Sequence, residues 1–146
     1  MRKKTLVWSA RYVKIYQTDC EKKLWENKEV ILNAAEIART IVNAIEERKG
    51  EDIVMLDLRE VSPIADYFVI ATSDNERMLR AIIRYIDDEM SKTYQIDAQK
   101  VEGSPESGWV LVDYNWVIVH LFSRSQREFY RLEHLWSDAP VVLRIQ

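Results

Sequence analysis

One stretch decides the fold of this chain: Trp109-Val-Leu-Val-Asp113-Tyr114-Asn115-Trp116-Val-Ile-Val-His120-Leu-Phe122. Two runs rich in Val, Leu, Ile and aromatic residues flank the turn-prone pair Tyr114-Asn115. This pattern predicts a β-hairpin with a two-residue loop at that pair. Such a loop would place Asp113 directly opposite Trp116, and the rest of the chain can be interpreted outward from this hairpin.

The predicted hairpin has two different faces, because side chains alternate between the faces of a strand. The aliphatic face carries Val110, Val112, Val117, Val119 and Leu121. The mixed face carries Trp109, Leu111, Asp113, Trp116, Ile118, His120 and Phe122. The aliphatic face is suited only to a core. The mixed face combines aromatic side chains with a carboxylate and an imidazole, so it is the leading candidate for a binding surface.

Length and composition indicate one globular domain, with or without an appendage. The chain has 146 residues, of which 47% are hydrophobic and 31% charged, values typical of a folded protein with a sizeable core. The single Cys20 cannot form an internal disulfide, which favours a reducing compartment. No apolar run approaches the length that spans a bilayer. We therefore expect a cytoplasmic protein that does not bind membranes.

The charges are distributed unevenly along the chain. Residues 1–50 contain 11 Lys and Arg against 7 Asp and Glu, a net charge of +4, whereas residues 51–146 contain 10 against 17, a net charge of −7. An acidic body is a poor match for a phosphate backbone. It is a better match for a basic protein partner. We therefore expect a protein partner and no sequence-specific contact with nucleic acid.

Apolar periodicity predicts the order helix, two strands, helix, three strands, helix. The predicted helices span residues 29–49, 73–93 and 125–136, the last two opened by capping boxes at Ser73 and Ser125. The predicted strands span residues 53–58, 67–72, 99–102, 109–113 and 116–122. The short link between the first two strands makes them antiparallel neighbours, and the third is interpreted as a parallel crossover partner. This order predicts a compact mixed α/β fold with a five-stranded sheet and flanking helices.

The two ends of the chain are harder to interpret. Residues 1–27 are compatible with an appended strand pair, a flexible basic arm or a weak organelle-targeting segment, so they are treated as an extension of unknown role. Residues 28–146 form the predicted domain. At its end, Asp138-Ala-Pro140 terminates the last helix and Val141–Ile145 is predicted to be an extended tail.

The sequence contains no recognisable catalytic or cofactor motif. The glycines Gly50, Gly103 and Gly108 do not lie between a strand and the helix after it, which argues against dinucleotide and phosphate-binding loops. Neither the carboxylates nor the possible metal ligands have the spacing of a metal site. These residues are Asp57, Asp66, Asp113, Cys20, His120 and His134. His120 is better explained by a hydrogen bond to Asp113 or to a partner. We expect no enzyme activity, cofactor or metal.

Aromatic residues are dense between Trp109 and Trp136. Phe129, Leu132 and Trp136 repeat at helical spacing and are predicted to be core. Trp109, Trp116 and Tyr130 are of the residue types enriched at interface hot spots. An equally good interpretation is that the last helix and the tail simply cover the mixed face.

Several motifs in the chain resemble those of the ribosomal silencing factor family, also called the Iojap-related family. They run in order from about residue 30 to Pro140. They are Asp57-Leu-Arg, Ser62-Pro-Ile-Ala-Asp66-Tyr-Phe-Val-Ile-Ala-Thr72, Val101-Glu-Gly103, Trp109-Val-Leu-Val-Asp-Tyr114, Val119-His-Leu-Phe122 and Arg127-Glu-Phe-Tyr130-Arg-Leu-Glu133-His-Leu-Trp136-Ser-Asp-Ala-Pro140.

The resemblance implies a nucleotidyltransferase-like fold without transferase activity. It implies binding to the large ribosomal subunit through large-subunit ribosomal protein fourteen, which blocks joining of the small subunit and represses translation. Such factors occur in bacteria, with relatives in mitochondria and chloroplasts. The partner-binding residues carried over from the family motifs are Trp109, Leu111, Asp113, Tyr114, His120, Phe122 and Tyr130.

The chain departs from the family pattern after Tyr114, where Asn115 and Trp116 replace the usual glycine and small or acidic residue. Asn tolerates the left-handed conformation of a tight turn, but Trp116 is bulkier and would change the fit to a partner. An exposed apolar face also invites a homodimer when the partner is absent. Two alternatives are an active nucleotidyltransferase and an RNA-binding ribosome-assembly factor that uses the basic segment 1–28.

Overall fold

A computed structural model describes residues 33–146, so the extension predicted at residues 1–27 and the start of the first predicted helix lie outside the described residues. The helices are α1 (Ala34–Glu47), α2 (Glu76–Tyr94), α3 (Arg124–Tyr130) and α4 (Leu132–Leu135). The strands are β1 (Glu51–Asp57), β2 (Tyr67–Ser73), β3 (Lys100–Ser104), β4 (Trp109–Asp113), β5 (Val117–Ser123) and β6 (Val141–Ile145). A single 3₁₀ turn, Pro105–Ser107, links β3 to β4.

The six strands form one sheet in the order β3-β4-β5-β2-β1-β6. Among the described strands, only β2 and β5 are parallel neighbours, and β1 and β2 pair antiparallel as predicted. The predicted count of five strands is wrong, because the tail Val141–Ile145 pairs with β1 and covers its free edge. The predicted parallel crossover partner is also wrong, since β3 pairs antiparallel with β4 at the opposite edge of the sheet.

The hairpin between β4 and β5 forms with its loop one residue later than predicted. Asp113 pairs with Ile118 rather than Trp116, so the two loop residues are Asn115 and Trp116. Asn115 adopts φ +73°, which Asn tolerates, and its N–H donates to Oδ1 of Asp113 at 2.6 Å. The pairing register differs from the prediction by two residues, and an even shift leaves every strand side chain on its predicted face.

The aliphatic face packs under α1 and α2. The N-cap of α1 is Asn33, whose Oδ1 accepts the N–H of Ala35 at 2.9 Å. The predicted capping box at Ser73 is wrong, because Ser73 ends β2 and Asn75 caps α2 by accepting the N–H of Met78 at 2.9 Å. The buried helical residues of this layer are Ala34, Ile37, Ala38, Ile41, Val42, Ala44, Ile45, Leu79, Ile82, Ile86 and Met90.

Within residues 33–146, the mixed face is covered only by the short helices α3 and α4 and the residues after them. The predicted single helix is broken at Arg131, which adopts φ +46°, and it begins after Ser123 rather than Ser125. Because the break changes the helical phase, Phe129 is 76% exposed, and its predicted core position is wrong. Leu132 is buried against the mixed face and Trp136 packs partly against it. No helix within residues 33–146 is long and apolar enough to cross a membrane.

Candidate partner-binding surface

Six of the seven predicted partner-binding residues lie on one side of the sheet. Trp109, Leu111 and Asp113 project from β4 and are half-buried. His120 and Phe122 project from β5 and are buried, and Tyr130 follows at the end of α3 with 45% exposure. The exposed part of this set, together with the buried rings behind it, forms the candidate surface.

Trp109 is the centre of an aromatic cluster on this surface. Its ring stacks on Phe122 with a centroid distance of 5.0 Å and an interplanar angle of 27°. The centroid of the Tyr130 ring lies 4.5 Å from that of Trp109, with the two rings tilted. The centroid of the His120 ring lies 6.0 Å away. Rings at these distances attract one another beyond their buried area. The indole is therefore held in one orientation before any partner arrives.

His120 supports Trp109 as a neutral ring. The Nε1–H of Trp109 donates to Nδ1 of His120 at 3.3 Å, and the edge of Phe68 lies 4.7 Å from the imidazole. Burial lowers the pKa of His120 to about 4, because an apolar site disfavours the imidazolium. The hydrogen bond considered between His120 and Asp113 is absent from the described residues, since Trp109 is the partner.

Tyr114 is the predicted site residue that lies elsewhere. It is 1% exposed in the layer beneath α2, and its hydroxyl lies 3.5 Å from Oδ1 of Asp87. Burial and the nearby Asp87 raise its pKa. Trp116, predicted on the mixed face, is buried in the same layer, and its carbonyl accepts the N–H of Asp66 at 2.8 Å. Both differences follow from the loop shift. Tyr114 continues the alternation of β4 on the side of Val110 and Val112, whereas Trp116 lies in the loop, where alternation does not hold.

Beside the aromatic cluster lies a depression of about 260 Å³ between β3, β4 and α3. Gly103 is required here, because at φ +79° a Cβ would lie 2.2 Å from the carbonyl oxygen of Trp109. The depression is lined by Glu102, Gly103, Ser107, Trp109, Leu111, Gln126 and Tyr130. Glu102 and Gln126 were not among the predicted site residues. The antiparallel register of β3 would have identified Glu102, which lies opposite Leu111.

Phe129 extends the surface beyond the predicted residues. Its ring meets Tyr130 edge-on at 5.1 Å, and Leu135 on α4 is also exposed. Exposed large apolar side chains next to a fixed aromatic cluster are typical of an interaction surface. The exposure of Phe129 follows from the helix break at Arg131. The apolar spacing of the sequence does not reveal this break.

Arg127 fastens α3 and α4 to the sheet. It is 7% exposed, and its Nη1 donates to Oγ1 of Thr72 at 2.9 Å. Its Nε donates to Oε1 of Glu133 at 2.8 Å, and Asp52 lies 3.5 Å from Nη2. A buried cation needs such partners. The neighbouring depression of about 490 Å³ is lined by both charge signs, so we interpret this end as a structural clamp.

The described residues thus form a rigid, partly exposed aromatic surface, which is the candidate for binding. It combines a fixed indole, exposed phenyl and phenol rings, and the carboxylates of Asp113 and Glu102. Within residues 33–146, no group of three or more His, Cys, Asp or Glu residues is arranged to hold a metal ion.

Comparisons with known proteins agree on one family. The family described as "Ribosomal silencing factor during starvation" matches residues 31–146. The chain is 38% identical over 110 residues to "Ribosomal silencing factor RsfS" of Bacillus subtilis, covering 75% of this chain and 92% of that protein. It is 36% identical over 107 residues to the protein of the same name in Halalkalibacterium halodurans, covering 73% and 91%. A crystal structure of a Chromobacterium violaceum protein is similar with a TM-score of 0.68 and 30% identity, covering 72% of this chain and 87% of that one.

Proposed function

Because the chain belongs to the ribosomal silencing factor family, which implies ribosome-associated regulation of translation, we propose that it represses translation by occlusion. It binds the large ribosomal subunit through large-subunit ribosomal protein fourteen and blocks joining of the small subunit. This mechanism needs affinity and bulk but no catalysis. We place the protein in the bacterial cytoplasm, in keeping with the bacterial relatives.

The observation that carries the proposal is the aromatic cluster centred on Trp109. Trp, Tyr and Arg dominate interface hot spots when they are held in well-packed positions, and Trp109 is held by Phe122, Tyr130 and His120. Trp109, Leu111, Asp113 and Tyr130 are proposed to touch the partner. His120 and Phe122 support them from behind, and Tyr114 enters the proposal as the residue that anchors the turn.

Charge supports a basic partner. Residues 51–146 have a net charge of −7, and Asp113 and Glu102 lie on the proposed surface. Complementary charge accelerates association and sets orientation. A ribosomal protein embedded in RNA is expected to be basic, which makes it a suitable partner for this surface.

Co-sedimentation tests the mechanism directly. The purified protein is mixed with isolated large or small subunits, and the missing subunit is then added. We expect stoichiometric binding to large subunits and a loss of subunit joining. Asp113→Arg should abolish both, and Asp88→Arg, an equal charge reversal on the exposed side of α2, should leave both unchanged. Equal binding by the folded Asp113→Arg variant would remove the site assignment.

Two further proposals concern the free protein. Its exposed aromatic surface is proposed to form a homodimer that is released when the ribosome occupies the same residues. The nucleotidyltransferase-like architecture implied by the resemblance is proposed to lack activity. Isothermal titration with a magnesium nucleotide that releases heat of binding would contradict this second proposal.

A further inference from the structure

The depression beside Trp109 has a volume that suits a single long side chain. Its volume of about 260 Å³ is below the range of about 300–1,000 Å³ found for drug-sized ligands. Trp109, Tyr130 and Leu111 line it, and the two rings lie 4.5 Å apart, tilted relative to each other. Such walls suit the methylene stem of a partner side chain that carries a polar head.

The polar groups of the depression accept hydrogen bonds and favour a cation. Glu102 is the lining residue with an ionised side chain. The side-chain amide of Gln126 makes no hydrogen bond to other described residues, so its oxygen is available as an acceptor. Aromatic faces attract cations, Trp most strongly. An anion would be repelled by the Glu102 carboxylate.

Glu102 already has a weak internal competitor. Lys100 lies two residues earlier on β3, and its Nζ is 2.7 Å from Oε1 of Glu102. Both side chains are more than half exposed, and exposed pairs of this kind contribute little to stability. A guanidinium has a planar fork of donors that matches a carboxylate and stacks on aromatic rings. It can therefore displace the Lys100 ammonium.

We propose that this depression receives one arginine side chain of the basic partner, stacked on the rings of Trp109 and Tyr130 and paired with Glu102. This inference rests on the proposed function, because the partner is the ribosomal protein. It adds a specificity residue, Glu102, that lies outside the predicted site. It also makes Lys100 a residue that weakens binding.

Two substitutions of opposite effect test the proposal in large-subunit binding. Glu102→Gln should weaken the affinity by about tenfold, as expected for a lost charge-assisted pair. Lys100→Met should strengthen it by about threefold, because the competitor for the carboxylate is removed. A purely structural role for these residues would not give effects of opposite sign.

Matched controls separate local recognition from general charge effects. Glu106→Gln removes an equally exposed carboxylate that pairs with Arg80 of α2 rather than facing the depression. Lys92→Met removes an exposed ammonium on α2. Both controls should bind as the wild type does. If Glu102→Gln behaves like Glu106→Gln, the inference is overturned while the occlusion mechanism stands.

A titration of the free protein tests the depression without the ribosome. Nα-acetyl-arginine amide is added while NMR follows the indole N–H of Trp109 and the methyl groups of Leu111. We expect shifts that are lost in Glu102→Gln and absent with the uncharged citrulline analogue. Equal shifts with the citrulline analogue would overturn the proposal, and equal shifts with the lysine analogue would overturn the choice of arginine. This result stands even if large subunits do not bind the protein.

Discussion

The two faces of the sheet differ in how completely helices cover them. The aliphatic face packs under α1 and α2, which have 14 and 19 residues, and its hairpin side chains Val110, Val112, Val117, Val119 and Leu121 are buried. Among the described residues, the mixed face has only α3 and α4, with 7 and 4 residues, so Trp109, Leu111 and Asp113 stay half-exposed there. Incomplete coverage leaves a rigid sheet available for a partner.

The faces also differ in what holds them together. The aliphatic face depends on close packing of branched side chains, which tolerates no lost volume. The mixed face depends on ring contacts around Trp109 and on the buried Arg127, which ties α3 and α4 to Thr72. Removing side-chain volume should therefore cost more stability on the aliphatic face than on the mixed face.

The largest expected effect is on the aliphatic face. Ile41 on α1 is fully buried, and Ile41→Ala should lower the free energy of unfolding by about 4 kcal/mol through lost burial and a cavity. Leu111→Ala on the mixed face should cost about 1 kcal/mol, because the side chain is already half-exposed. Urea denaturation measures both. Similar losses at the two positions would contradict the contrast between the faces.

The second-largest expected effect is a pH dependence of stability, which arises from His120 on the mixed face. The pKa of His120 is about 4 in the fold and about 6.5 in an unfolded chain. Between these values the unfolded chain binds more protons, so stability is full above pH 6.5 and falls by roughly 3 kcal/mol as the pH approaches 4. Thermal unfolding measured at several pH values between 6.5 and 4 gives the slope of stability against pH.

Two histidine variants isolate this effect from the titration of carboxylates. His120→Gln keeps an acceptor for the indole of Trp109 and should flatten the slope between pH 6.5 and 4. His134→Gln, at an exposed position of α4, should leave the slope as in the wild type. A His120→Gln variant with the wild-type slope would show that the imidazole is not responsible.

The smallest effect on stability is expected where the mixed face is most exposed. Phe129→Ser should change the free energy of unfolding by no more than about 0.5 kcal/mol, because the ring is 76% exposed. The same change should weaken self-association, measured by sedimentation velocity. Val142→Ser, on the exposed edge strand β6, is the control and should associate normally. Unchanged association of Phe129→Ser would exclude this ring from the dimer contact.

Prediction from sequence succeeded where local pattern is decisive. The order of elements from α1 to α3 and the two faces of the hairpin strands follow from periodicity, and the antiparallel pair β1 and β2 follows from the short link between them. It failed where a choice depends on distant residues. Val141–Ile145 is a strand because β1 offers it a free edge, and Asn75 rather than Ser73 caps α2 because Ser73 continues β2 beside β5.

The candidate site shows the same division. Trp109, Leu111, His120 and Phe122 are on the mixed face because alternation along a strand survives an even shift of register. The placement of Tyr114 under α2 required knowledge of which residue takes the left-handed turn position, and that residue is Asn115. Glu102 entered the site only through the antiparallel pairing of β3 with β4.

The sequence by itself determined the chemistry of each face, because side-chain identity and the two-residue period of a strand are local properties. It also determined the family, through motifs whose order and spacing are visible in the chain. Only the tertiary structure decided which face stays open. Coverage depends on the break at Arg131 and on the clamp made by Arg127, which bonds to Thr72 from a distant part of the chain.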